Sequence, residues 1–173
     1  MKVLFIYKDN DRVERITYTS LSNIKDILLN DYGILIGNNV KIQGNIQIGT
    51  NVYIGNDVVI SHNVSIYNGC YIGDGCHIHN NTIIGHNTIL MPAVQIGKFT
   101  HIGSNCVIEK DVIIKDDVLI GRNTYILSNT VIDNRTPLNN NNKVLKITGA
   151  NIHVMINELN EYQRITTQLF DWI

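Results

Sequence analysis

The side chains best suited to chemistry are six histidines, five of them gathered between residues 62 and 101: His62, His77, His79, His86 and His101. The sixth, His153, lies near the C-terminus. Imidazole exchanges its proton near neutral pH, so it serves as a general base, and it is also a common metal ligand. His77 and His79 flank Ile78, a spacing that projects both from one side of an extended chain, roughly 6–7 Å apart. Metal binding needs three such donors converging, whereas base catalysis needs a single imidazole beside a cleft. The cysteines Cys70, Cys76 and Cys106 form neither a metal-type pair nor an even set. They point to a reducing, cytoplasmic setting and to packing roles.

Which of these roles is open depends on the elements that hold the histidines. The chain has 173 residues, with 14 basic and 15 acidic side chains and a formal net charge of -1. That length suits one domain with its own core. A balance so near neutral argues against nucleic acid as a partner. The absence of any eighteen-residue apolar run argues against a membrane span. The short apolar stretch after Met1 lacks a small-residue cleavage site, so no secretory signal is expected.

A strict period runs through the chain. Every sixth residue from Ile36 to Ile132 is isoleucine, with Leu90 the single leucine. Calling this slot one, slot two is glycine in half of the sixteen complete hexads, and slot four is Asn, Asp or Gly in all but Ala93 and Phe99. Slot five holds small residues, mostly Val, Thr and Cys. A six-residue period fits neither an amphipathic helix nor an alternating strand. It fits a short strand and a turn, repeated. Slot one supplies a bulky inward side chain, slot four a turn residue that tolerates positive φ, and slot five a narrow inward residue beside the corner. Three such units make a coil of 18 residues and a three-sided column of a little over five coils, with parallel strands roughly 4.8 Å apart.

Residues 1–33 are expected to form a cap: a strand at Val3–Tyr7, a turn at Asp9-Asn10-Asp11, and a short helix capped by Ser20 or Ser22 with Ile24, Ile27 and Leu28 on one face. Residues 34–133 form the column. Residues 134–150, with Pro137 and four consecutive asparagines, read as a linker. Residues 151–173 carry Ile156, Leu159, Tyr162, Ile165 and Leu169 at helical spacing, and are expected to be a closing helix. Residues eighteen apart stack, so one face presents Leu35, Tyr53, Tyr71, Ile89, Val107 and Tyr125 outward. Such a stripe calls for cover by a second subunit or by the chain's own flanks. The same stacking sets His79 above Ser61 and Asn80 above His62, so three imidazoles gather near one corner. His86 stands on another, above Asn68 and below Ser104.

The pairs Ile48-Gly49, Ile54-Gly55, Ile72-Gly73, Ile96-Gly97 and Ile102-Gly103 resemble the hexapeptide-repeat family. The likeness covers residues 34–133 and implies an all-β, left-handed parallel β-helix, a homotrimer, and sites in the grooves between subunits. In the family's sugar and nucleotide-sugar acyltransferases the general base is a histidine at slot three, commonly followed by Asp or Asn. Two strings match: Ile60-Ser61-His62-Asn63-Val64 and Ile84-Gly85-His86-Asn87-Thr88. The resemblance implies acetyl-CoA as co-substrate and a sugar or nucleotide-sugar as acceptor. It makes His62 the first choice of base, because more coils follow it, with His86 and the neighbouring His79 as alternatives. It sets Gly97, Lys98, Gly103, Lys115 and Arg122 along the coenzyme A. The stretch Ile89–Gly97 resembles an acetyltransferase segment, and Phe99 stands in a turn slot as in an acyltransferase coil. The sequence departs from the family in lacking Gly-Asn-Pro-Ala after the last coil and an acidic residue at Ser61.

Two rival readings use the same column. A γ-carbonic-anhydrase-like site would take His86 as one zinc ligand, but the other ligand positions fall on Met91 and near Tyr67, so no metal is expected. A non-catalytic scaffold is the other, in which the histidines are solvated turn residues.

Overall fold

The structure is a computed structural model that describes residues 2–8, 12–135, 137–141, 143–147 and 152–155. Three strands open it up to the first corner sequence: β1 (Lys2–Tyr7) and β2 (Val13–Tyr18) form an antiparallel hairpin, and β3 (Leu35–Ile36) begins the column after α1 (Lys25–Tyr32). β4 (Lys41–Ile42) and β5 (Ile46–Gly49) complete the first coil. The same three-strand coil repeats through Leu138, giving six turns of a left-handed parallel β-helix, with Lys143–Ile147 beginning a seventh.

Each hexad folds as its slots require. Slot-four residues from Asn39 to Asn129 turn the chain at positive φ, Ala93 at 63° and Phe99 at 55° among them. Asn45 is the exception. It precedes the longer strand β5, which pairs with β1 in parallel. Stacked residues lie eighteen apart in register, as in Tyr53 opposite Tyr71 and Ile54 opposite Ile72. Backbone amides reach seventeen residues on, as from Leu35 N–H to Val52 O at 2.9 Å. Three faces result. Face I begins with β3, face II with β4, and face III with β5, which the hairpin extends.

Slot-one side chains fill the axis: Ile54, Ile60, Ile72, Ile84, Ile96, Ile108, Ile126 and Ile132 are fully buried. Slot five is small for a second reason that the repeat alone does not disclose. Its threonines and cysteines donate to corner carbonyls, Thr88 Oγ1 to Gly103 O at 2.8 Å and Cys70 Sγ to Gly85 O at 3.0 Å. A buried hydroxyl is thereby satisfied, and one corner carbonyl gains a donor. Burial pushes the Cys70 and Cys76 thiols up to about 12 and Cys106 to about 11.

The cap closes the start of the column. Leu4, Ile6, Ile24 and Leu28 join the core, and Tyr32 donates to Glu14 Oε2 at 2.5 Å. Two open-edge carbonyls of the first coil are taken by lysines, Ile42 O by Lys2 Nζ at 2.7 Å and Gly37 O by Lys25 Nζ at 2.6 Å. Five expectations are corrected here. A second strand, β2, follows the first and is absent from the sequence reading. Neither Ser20 nor Ser22 caps α1; its N-cap is Ile24, and Ser20 instead precedes a 3-10 turn at Leu21–Asn23 without a side-chain capping bond. Ile27 is 46% exposed, because the helix turns Leu28 and Tyr32 toward the core, with Ile24 buried at its N-cap. The span 134–150 is no plain linker: Pro137–Leu138 pairs with Leu119–Ile120, and Lys143–Ile147 with Tyr125–Ile126, because Leu138 and Val144 continue the slot-one period. Ile152–Met155, where the closing helix was expected to begin, is a strand antiparallel to Lys143–Ile147. The remainder of that expectation, and the turn at Asp9-Asn10-Asp11, lie outside the described residues. On face I, Tyr53 and Tyr71 stack with ring centroids 4.6 Å apart, while Ile89 and Val107 are shielded completely within the single chain. Cover by the chain itself therefore accounts for those two positions.

Replacing Ile78 by Ala should cost about 2–5 kcal/mol in denaturant unfolding, the span for a methyl-bearing core side chain removed from a close-packed site. Ala93→Asn should raise stability by about 1 kcal/mol, since alanine bears the cost of a left-handed corner that asparagine tolerates. At pH 8, well below the raised thiol values, iodoacetamide should modify none of the three cysteines until the chain is unfolded, as mass spectrometry would report.

Candidate functional site

Three corners run the length of the column, and one differs chemically from the others. At slot two the corner between faces III and I carries Gly49, Tyr67, Gly85, Gly103 and Gly121, and the corner between faces I and II carries Gly37, Gly55 and Gly73 followed by Met91, Glu109 and Leu127. A Cβ at Gly85 would meet Gly103 backbone carbon at 2.6 Å, and one at Gly97 would meet Lys115 backbone carbon at 2.4 Å, so glycine lets successive turns approach closely at either kind of corner. The corner between faces II and III instead carries Gln43, Ser61, His79, Gly97, Lys115 and Asp133. Amides link that row coil by coil, Ser61 N–H to Ile78 O, His79 N–H to Ile96 O and Gly97 N–H to Ile114 O. Beside it runs the slot-three row Gly44, His62, Asn80, Lys98 and Asp116.

This polar corner gathers five of the eight expected site residues: His62, His79, Gly97, Lys98 and Lys115. His62 is exposed, and its Nδ1 edge faces Gly44, where an added Cβ would stand 2.1 Å from Nδ1. The glycine is therefore the floor on which the ring lies, and Nε2 is the nitrogen turned away from it. The His62 amide donates to Asn80 Oδ1 at 3.1 Å, and Asn63 Nδ2 to Asn81 Oδ1 at 3.2 Å, which fixes the turn. Ser61 Oγ donates to Gln43 Oε1 at 3.3 Å. A cleft of about 380 Å³ opens on the face III side, lined by Phe5, Asn45, Gln47, Asn63 and Ser65. A second, of about 360 Å³, lies below and includes Gln43 in its wall.

Two coils above His62, roughly 10 Å along the corner, Phe99 stands beside Lys98. It is 57% exposed and held at a φ of 55°. A bulky residue in the left-handed region is unusual, and strain of this kind concentrates at functional positions. The Lys98 amide is fixed by Asp116 Oδ1 at 2.7 Å. Lys115 pairs with Asp133 at 2.6 Å in an exposed ion pair, so this end of the corner is electrically balanced.

The remaining expected residues lie elsewhere. His86, Gly103 and Arg122 occupy the corner between faces III and I, where the His86 ring tilts against Tyr67 at 4.8 Å. His77 projects from the flat of face II and lines a cleft of about 480 Å³ with Asn39, Lys41 and Asp57. The expected gathering of three imidazoles thus reduces to His62 and His79, because His77 lies on a strand and not at the corner. Among the described residues, no three His, Cys, Asp or Glu side chains converge as a group able to hold a metal. No helix of the described residues is long and apolar enough to cross a membrane. The sequence reading missed Gly44 and Gln43. Comparing each slot every eighteenth residue would have exposed them, since Gln43 and Gly44 stand one coil below Ser61 and His62.

Fold and corner together define a hexapeptide-repeat β-helix. The GMPPB C-terminal domain family matches residues 32–144, and the chain belongs to that family. No curated protein matches the sequence. Among solved structures, the chain is similar to a mutant of AntD, an N-acyltransferase from Bacillus cereus, in complex with dTDP-4-amino-4,6-dideoxyglucose and coenzyme A. The identity is 14%, the TM-score 0.64, and the match covers 90% of this chain and 97% of that one. A second mutant of the same enzyme gives 14% identity and a TM-score of 0.64 over 91% and 99%. A UDP-N-acetylglucosamine O-acyltransferase from Moraxella catarrhalis gives 17% identity and a TM-score of 0.51 over 76% and 70%. At these identities the likeness is one of fold.

Because the Lys115–Asp133 pair is exposed, Asp133→Asn should change unfolding free energy by less than about 1 kcal/mol. Thermal denaturation at low and high salt would check this.

Proposed function

We propose that the chain is a coenzyme A-dependent acyltransferase acting on an amino or hydroxyl group of a sugar, with His62 as general base. The observation that carries this reading is the polar corner, with an exposed imidazole on a glycine floor and an exposed, strained Phe99 beside Lys98 two coils above. The fold shared with sugar acyltransferases supports it. His62 Nε2 takes the proton of the acceptor N–H or O–H as that atom attacks the thioester carbonyl. Collapse of the tetrahedral intermediate forms the amide or ester and breaks the C–S bond, and the proton passes to the departing thiolate. Proton transfer by a positioned base is worth about 10²–10⁴-fold. Coenzyme A would run up the corner, with Phe99 offering a face for stacking and Lys98 a mobile charge for phosphate. Lys115, tied to Asp133, is the weaker candidate for that role. A homotrimer whose grooves join neighbouring corners, and a cytoplasmic setting, are parts of the same proposal.

A second reading has one observation in its favour. The matching family is described as the C-terminal domain of a protein, which suits a non-catalytic β-helix that assembles with other parts.

Acetyl transfer from acetyl-CoA to amino sugars, followed by thiol release, separates the two. The purified chain should turn over, His62→Ala should be slower by about 10²–10⁴-fold, and His86→Ala should retain most activity. Gly44→Ala, which displaces the ring without removing it, should fall between them. A chain inert to every acetyl acceptor, with no thermal shift on adding acetyl-CoA, would leave the scaffold reading standing.

A further inference from the structure

The cleft of about 360 Å³ at the base of the polar corner is walled by Lys2, Tyr18, Thr19, Ser20, Lys41 and Gln43. Its volume falls within the roughly 300–1,000 Å³ of small-ligand pockets. It forms where the hairpin and the 3-10 turn lean over β4, the uncovered edge of face II. Two lysines and three hydroxyl-bearing residues line it, with no acidic side chain among them. Lys2 uses one of its three donors on Ile42 O at 2.7 Å and keeps the others. Lys41 is exposed on the same rim.

Tyr18 supplies an independent sign. The residue is 5% exposed, yet its phenol oxygen, shielded from solvent, has no hydrogen-bond partner. Buried polar atoms are nearly always paired, and one left without a partner calls for an explanation. Burial holds the phenol above its ordinary proton affinity, so it stays a donor. The remaining groups sort the ligand further. Lys2 and Lys41 match a phosphate dianion. Thr19, Ser20 and Gln43 match a body rich in hydroxyls. The one aromatic ring in the wall, Tyr18, is buried, which leaves no exposed face to stack a base.

We infer that this cleft binds a small phosphorylated sugar, with phosphate held between Lys2 and Lys41 and a ligand oxygen accepting from Tyr18. Gln43 belongs to the cleft and also receives Ser61 Oγ beside His62, so the site opens toward the candidate base. Binding itself does not depend on the acyl-transfer reading; if both hold, the ligand is the acceptor.

Calorimetric titration of the full chain with glucose 1-phosphate, without any acyl donor, tests the site. One equivalent should bind, and inorganic phosphate alone should bind more weakly by about tenfold or more. Lys41→Glu, at an exposed position, should weaken glucose 1-phosphate by at least about tenfold. Tyr18→Phe should weaken it several-fold without lowering Tm, because the phenol has no partner to lose. Glucose 1-phosphate bound by a chain that transfers no acetyl group would leave this site standing and the catalytic proposal fallen, which separates the two failures. No binding, unchanged affinity in both Lys41→Glu and Tyr18→Phe, or inorganic phosphate bound as tightly as the sugar phosphate would overturn the inference.

Discussion

The structure depends on a left-handed turn made once every six residues. That turn is what allows two-residue strands to close into a three-sided coil, and it succeeds only where the residue tolerates positive φ. Asn, Asp and Gly meet the condition at nearly every corner. Once the corners are set, the remaining features follow. Isoleucine columns occupy the axis, backbone amides reach the coil above, and side chains next to each corner are presented outward in rows 18 residues apart. The asparagine and aspartate side chains then add a ladder of their own, as from Asn56 N–H to Asp74 Oδ1 at 2.7 Å.

Function is confined to what such a lattice leaves free. Inward slots are committed to packing, and glycines at the corners bring successive turns close together. The corner between faces II and III carries polar side chains at five of its six slot-two positions, Gln43, Ser61, His79, Lys115 and Asp133, with clefts beside it. The two slot-four residues that break the Asn/Asp/Gly rule differ in meaning. Ala93 sits at an ordinary corner, whereas Phe99 stands on the polar one, where an exposed ring is bought with backbone strain.

The column was legible in the sequence because each hexad is determined locally: slot identity depends on residues within one turn, and no insertion disturbs the phase. The last coil was not. Pro137 and the run of asparagines look like a linker when read by composition, although Leu138 and Val144 keep the period. The cap was only partly legible, since β2 gains its place from pairing with β1 and from Glu14 accepting from Tyr32 of α1, contacts with no local signature. The histidine strings match at both His62 and His86, and the sequence ranks His62 first only by the number of coils that follow it and by the neighbouring histidines. Separating them required knowing which slot-two row each lies beside, a comparison across coils and not along the chain. Gly44 escaped notice for the same reason, because its importance is the absence of a side chain beneath a ring in the next coil.

The lysines seated on Gly37 O and Ile42 O have a consequence for how molecules of this shape coexist. A stack of in-register parallel strands offers its terminal rung as a template for another chain, as fibrils do. Here the starting rung is chemically blunted, two of its acceptors already taken by ammonium groups and face III sealed by a hairpin. Elongation from that end by a second copy is denied, so the fold borrows the cohesion of a fibril while refusing its propagation.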